Sequence, residues 1–492
     1  MDSADENSDR SPSQNASGLP LLRTKSKRDY GALESGLIDI DIEVETAGSS
    51  LGASATNVVN NVLGSGMLSL PWALSQTGVI PGLALLAATG VLSAFSLYFY
   101  GRSCAVTGDR TLNGLWRSAW RRRGEMHLSW FRALPMALSN FVFCFGVCVA
   151  FVVLVGNFTV PVLDALFSDG PNGGQVPWLA KRNICVPLLM LALALPLSLL
   201  RAFKALRYAS FIGIVAVAFT SILVVLNFIS NGTGANQVLW WRPPSAFSLF
   251  LGVSVMNVAY AMHSNAPRFY TELQGRSPRR FATLSCLSMT LCTVLYVGVA
   301  TAGYGRYGNM VCGDVLSSMG EHALVSLARV AMALSLVLTF PLPLNGARET
   351  LLTVLNLRHL DDKIEADRVT SVLATYDFDH DETEELNEQL SPKAHAIISV
   401  ALLALSTLLG VVFPSIETIL AFIGALGGTL CVYILPTIVF LRIVSSDQRT
   451  RKESWAATTC VIFGSVCGLV GIYASLTSEP SPEHCDPANI HS

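Results

Sequence analysis

Two stretches of this 492-residue chain bring together residue types whose spacing could hold a small zwitterion in apolar surroundings. The first is NVVNNVLGSGMLSLPWA, Asn57 to Ala73, in which Gly64, Ser65 and Gly66 are followed closely by Pro71. Glycine is entropically poor in a helix, and proline lacks the N–H a continuing helix needs, so a break is expected here. A half-helix that restarts inside a membrane presents N–H groups without partners, and these favour an anion such as a carboxylate. The second stretch is AMHSNAPRFYTEL, Ala261 to Leu273, which sets His263, Ser264, Asn265 and Pro267 at the inner end of an apolar run. Small residues also let membrane helices pack closely, so each stretch alone has a packing reading beside the binding one. Their occurrence in corresponding places shifts the balance toward a site.

The elements that must position these residues are set by composition. Hydrophobic residues make up 51% of the chain and charged residues 14%, against about 25% charged in soluble domains. Apolar runs near the length of about 20 residues that crosses about 30 Å of hydrocarbon fall at approximately 52–74, 79–101, 135–161, 183–200, 209–230, 246–269, 281–303, 323–345, 394–414, 416–438 and 455–477. The runs are continuous rather than alternating, so they predict helices, numbered here spans 1 to 11. The expected fold class is an all-α integral membrane protein with one domain over residues 51–477. Spans 1–5 and 6–10 begin on opposite sides, as an inverted repeat requires, which places a site between broken spans 1 and 6.

Basic residues are retained on the cytoplasmic side. With the amino terminus cytoplasmic, only Lys181, Arg182, Arg242 and Arg306 of the 33 Lys and Arg fall outside, and Arg329 lies in span 8. Residues 1–50 are polar and read as a disordered cytoplasmic tail, with no cleavable signal peptide; residues 478–492 read as an outer tail. The acidic segment 356–391 reads as a solvated cytoplasmic loop. Within it Asp377, Asp379, Asp381 and Glu388 match calcium-loop positions, but Glu382 stands where such a loop needs glycine. Near neutrality, with no basic patch interleaved with aromatics, the chain carries no sign of nucleic-acid binding. Most of the 11 cysteines sit singly in apolar runs; Cys185 and Cys312 both fall near the outer face, where a disulfide between them is expected. The sequon Asn231-Gly232-Thr233 lies between spans 5 and 6, on the side where a glycan is added, so Asn231 is a candidate glycosylation site.

Four blocks in order resemble the amino acid/auxin permease family, part of the amino acid-polyamine-organocation superfamily. They are NNVLGSGMLSLPWA in span 1, the H-x6-Y-x-E-L spacing from His263 to Leu273, LTFPLPLNGARETLL in span 8, and FPSIETILAFIGALGGTLCVYILP in spans 9 and 10. The resemblance covers nearly all of spans 1 to 11 and implies the fold of the bacterial leucine transporter, five plus five inverted repeats and a further helix. It implies a secondary active transporter of amino acids working by alternating access. Gly64, Ser65 and Gly66 would hold the substrate carboxylate, and carbonyls near His263 and Ser264 its ammonium. Asn60 and Thr339 match sodium-contacting positions of the sodium-coupled branch. One departure is that the family's proline five residues after the span 6 histidine is Arg268 here, with Pro267 one residue early.

No cofactor is expected, and the coupling ion is left between sodium and a proton. The predicted spans carry no carboxylate at mid-depth for a proton relay. Asn60, Ser335 and Thr339 offer hard oxygen ligands, and His263 is either a proton carrier or a structural hydrogen-bond former. The missing intramembrane acids favour neutral over dibasic amino acids. Two rivals are an amino-acid sensor signalling through its polar tail, and an acyltransferase using His263 with Asn257, for which no second catalytic motif occurs. Plasma and vacuolar or endolysosomal membranes are both compatible with the sequence, and it is silent on oligomeric state.

Overall fold

The computed structural model describes residues 48–121, 130–168, 178, 181–200, 206–234, 237–320, 322–367 and 392–477. Among these residues the structure is helical, with a single isolated bridge between Ser49 and Leu273. Ten helices among the described residues are long and apolar enough to cross a membrane: Val79–Thr107, Leu134–Phe167, Arg182–Leu199, Ile212–Asn231, Ala246–Glu272, Pro278–Met310, Ala323–Val354, Lys393–Val412, Ile416–Ile443 and Arg451–Thr477. They correspond in order to predicted spans 2 to 11. Span 1 is the eleventh apolar segment, and it is divided into Leu51–Val62 and Leu70–Thr77, each half shorter than a membrane crossing.

Local sequence accounts for the other irregularities that matter here. Span 8 has a turn at Phe340, with Pro341 opening its second helical piece, and that piece runs on to Asp367. The helix therefore passes well beyond the predicted end at 345 and takes in residues 356–367, which the sequence assigned to the acidic loop. The remaining loop residues, including the calcium-like positions Asp377 to Glu388, lie outside the described residues, as do the tails 1–47 and 478–492. Gly48, Ser49 and Ser50, which the sequence assigned to the tail, are described: Ser49 N–H donates to the Glu272 carbonyl at 2.8 Å, and Gln274 N–H returns to the Ser49 carbonyl at 3.1 Å. Those two bonds tie the entrance of span 1 to the end of span 6, on what is called here the proximal face; the opposite one is the distal face.

Glycines bring span 10 against span 6. A Cβ on Gly424 would lie 1.8 Å from the Ser254 carbonyl oxygen, and one on Gly428 3.4 Å from the Asn257 Cβ. Around Gly424–Gly428 and Leu430–Ile434 span 10 is wound as π-helix, a local widening that is frequent at functional sites. Span 6 is the most enclosed of the ten long helices, consistent with a place at the centre of the bundle.

Candidate functional site

Span 1 breaks where its glycines fall. The helix ends at Val62, Leu63 turns extended (φ −70°, ψ 97°), and Gly64 is fully extended (φ −134°, ψ −163°). A 3-10 segment covers Ser65–Ser69, and the α-helix resumes at Leu70 with Pro71 in its first turn. There the missing proline N–H is no loss, because the first N–H groups of a helix have no partner anyway. The chain thus leaves the carbonyls of the first half and the N–H groups of the second without their usual helical partners.

Span 6 breaks in the same way. Its first half, Ala246–Ala259, ends in the irregular residues Tyr260 to Met262. A 3-10 turn follows at His263–Asn265, and Ala266–Glu272 resumes with Pro267 in the first turn. The early proline therefore marks where this chain restarts its helix. Arg268, which takes the family's proline position, is directed to the surface and pairs with Glu272 at 2.8 Å.

The two breaks meet. A Cβ on Gly66 would stand 3.2 Å from the Ala259 Cα, tight enough that any larger residue would have to push the two backbones apart by a few tenths of an ångström. The fully buried Tyr296 of span 7 donates its hydroxyl toward both the Val62 carbonyl (3.0 Å) and the Ala259 carbonyl (2.7 Å). These are the last residues of the two half-helices. On the proximal side of the breaks, Asn265 Nδ2 donates to Asn61 Oδ1 at 3.1 Å. Beside Gly64, by contrast, an added Cβ would meet nothing within 4 Å. The break that contains Gly64 and Gly66 and the break that contains His263 and Ser264 thus meet at one junction, with open space beside Gly64.

The His263 ring does not face that space. It is buried, with Nε2 2.8 Å from Ser96 Oγ and 3.2 Å from the Ser93 carbonyl, both on span 2. Ser96 itself donates to the Ser93 carbonyl at 2.9 Å, so an Nε2–H tautomer donating to Ser96 satisfies that nitrogen, while Nδ1 is buried without a hydrogen-bond partner among the described residues. The imidazole fastens the restarted half of span 6 to span 2, while the backbone around it lies at the break. Asn257, its partner in the acyltransferase reading, accepts instead from the Tyr433 hydroxyl at 3.0 Å, and no hydrogen bond joins the two side chains.

Of the residues matched to sodium positions, Asn60 is half-buried with no side-chain hydrogen bond among the described residues, and Thr339 donates to the Ser335 carbonyl at 2.7 Å. A hydroxyl so engaged keeps its oxygen lone pairs for a cation. No described group of three or more His, Cys, Asp and Glu is arranged to hold a metal ion, but sodium sites of neutral oxygens need no such cluster.

The expected disulfide is corrected. Cys185 is a free, buried thiol, whereas Cys312 is disulfide-bonded, so the two do not pair. Cys185 lies in the first helical piece of span 4, which packs on spans 3 and 9, and Cys312 lies in the segment that follows span 7. Asn231 ends span 5 exposed, its amide donating to the Asn227 carbonyl and side chain at 3.0 and 2.7 Å.

Two features escaped sequence reading. Tyr296 is one, and the other is a buried polar network at the distal face. Asp314 is fully buried and accepts from Asn157 Nδ2 at 3.0 Å, Ser317 N–H at 2.9 Å and Ser317 Oγ at 2.8 Å. Arg182 donates to Asn157 Oδ1 at 2.7 Å. The signal available for both was a polar group in or beside an apolar run, which must find a partner once buried.

Residues 47–477 match the family described as transmembrane amino acid transporter protein. The chain is 23% identical to vacuolar amino acid transporter 6 of Saccharomyces cerevisiae, over 87% of its own length and 98% of the relative's. It is likewise 23% identical to putative sodium-coupled neutral amino acid transporter 11 of Mus musculus, covering 96% of this chain and 95% of that one. Among solved structures, the inward-facing conformation of Mhp1 is similar at a TM-score of 0.48 and 13% identity, covering 87% and 89%. These relatives are named as transporters rather than enzymes, and with a match over most of its length the chain belongs to the transmembrane amino acid transporter protein family.

Proposed function

We propose that this chain is a secondary active transporter that carries neutral amino acids across a membrane by alternating access, driven by sodium or a proton. The observation that carries the reading is the meeting of the two breaks. Unpaired N–H groups at the restart of span 1 suit a carboxylate, and carbonyls at the cut ends suit an ammonium group, so the junction offers both ends of a zwitterion. Neutral side chains fit best, because the residues around the breaks supply no carboxylate for a second positive charge.

Asn60 and Thr339 are the proposed sodium ligands, and Gly64, Ser65, Gly66, His263 and Ser264 supply the substrate contacts, His263 and Ser264 through their backbone. The basic residues put the proximal face in the cytoplasm, and Asn231 on the other side is the proposed glycan acceptor. Sodium-dependent uptake is favoured by the burial of the His263 ring against span 2, where Nε2 is held by Ser96 and the Ser93 carbonyl.

Purified protein in liposomes tests the reading. Neutral amino acids should accumulate under an inward sodium gradient at fixed pH, or under a pH gradient alone, and whichever gradient suffices identifies the ion. Saturable binding without flux under either gradient would point to a sensor and contradict the transport reading.

A further inference from the structure

We infer that Tyr296 is the positioning residue that locks the two breaks into one substrate site. The inference rests on the reading of the junction of spans 1 and 6 as the amino-acid site, and adds a residue on a third span that neither motif contains.

The geometry is specific. A phenol carries one proton, yet the Tyr296 oxygen lies 2.7 Å from the Ala259 carbonyl and 3.0 Å from that of Val62. Both carbonyls belong to the last turns of half-helices, where the break has removed the N–H that would normally reach them. The hydroxyl replaces those lost partners on both spans at once. Each carbonyl oxygen has two lone pairs and the hydroxyl uses at most one of them, so each keeps one for a cation or an ammonium group. Any motion that draws span 1 away from span 6 must also break one of the two bonds, so the hydroxyl ties the breaks into a single unit.

The ring is held independently of the hydroxyl, edge-on to Tyr260 at 5.2 Å and 63°. Phenylalanine can therefore keep the packing while losing the link. Tyr260 supplies the matched control: it is equally buried, but its hydroxyl reaches the Leu86 carbonyl (3.2 Å) and Thr293 Oγ (2.7 Å), neither of them on span 1. Both variants delete one buried hydroxyl from the same aromatic pair. Only one of them unlinks the breaks.

The test compares wild type, Tyr296→Phe and Tyr260→Phe in liposomes, with radiolabelled L-alanine, L-glutamine and L-leucine as probes. In Tyr296→Phe the KM of the best wild-type substrate should rise about tenfold, the upper range for one buried hydrogen bond, with kcat within about threefold. Tyr260→Phe, in the same break but with its hydroxyl off both cut ends, should raise KM clearly less than Tyr296→Phe does. An unchanged KM in Tyr296→Phe, or equal rises in both variants, would overturn the inference while leaving wild-type transport intact. Absence of wild-type uptake and binding for every probe would overturn the transport reading and this inference with it. Hydrogen exchange on the wild type needs no variant: substrate should protect residues 62–66 and 259–264 together, and protection of one stretch alone would overturn the lock.

Discussion

Around one pair of breaks, the proximal and distal halves of span 1 are set in opposite surroundings. In Leu51–Val62 the residues Thr56, Asn57 and Asn61 are exposed, whereas in Leu70–Thr77 all but Trp72 and Gln76 are buried. The distal half is covered instead by residues 311–316, all buried, whose Val315 N–H donates to the Leu68 carbonyl at 2.9 Å. That irregular segment is satisfied piece by piece: Asp314 takes three hydrogen bonds, and Arg329 donates to the carbonyls of Leu316 (3.1 Å) and Met319 (2.8 Å). Irregular backbone is tolerated at such depth only with partners of this kind. The contrast teaches that the distal half of span 1 is enclosed by protein, whereas its proximal half presents polar residues at the surface of the structure.

The comparison breaks most severely at the junction itself. Gly66→Leu places a side chain where a Cβ already lies 3.2 Å from Ala259, and a displacement of about 1 Å at a positioned site is worth about a hundredfold in rate. Uptake by a monodisperse, well-expressed Gly66→Leu protein should therefore fall about a hundredfold or more. Next comes the distal seal. Asp314→Ala removes the acceptor shared by Asn157 and Ser317, and hydrogen bonds to a charged group are worth about 1.5–3 kcal/mol. Uptake should fall about tenfold, and a thiol reagent applied from the distal side should label a Ser69→Cys probe about tenfold faster in the Asp314→Ala background than in wild type.

Smaller effects sharpen the contrast from the proximal side. Arg268→Ala removes an ion pair in which the arginine side chain is 75% exposed. Such pairs contribute about 0–1 kcal/mol, so uptake should stay within about twofold and thermal melting should hardly move. The smallest change is chemical. In unreduced, unfolded protein, peptide mapping after alkylation should find Cys185 labelled and Cys312 protected until a reductant is added.

Sequence and structure agree where a backbone consequence follows from residue type. Gly64, Gly66 and Pro71 cannot favour a continuous helix, and Pro267 marks the restart of span 6 at Ala266, so both breaks were legible. The directions of side chains were not. His263 reads equally well as a proton carrier or a structural group until Ser93 and Ser96 are seen beside it, because its partners are 170 and 167 residues away. Tyr296 looks like any aromatic residue in an apolar run, since its acceptors are backbone carbonyls that every residue possesses. Cysteine pairing depends on which surfaces meet, and sharing a predicted face did not bring Cys185 to Cys312. The continuation of span 8 to Asp367 was passed over because its last turns are rich in charged residues, although Leu357, Leu360 and Ile364 keep a helical spacing there.

Equilibrium binding of a radiolabelled neutral amino acid to the purified protein addresses the junction without requiring flux. Wild type and Arg268→Ala should bind saturably with similar affinity, and Gly66→Leu should bind nothing above background while melting at a comparable temperature. Saturable, wild-type-like binding by folded Gly66→Leu would mean that the amino acid is held somewhere other than between the cut ends of spans 1 and 6.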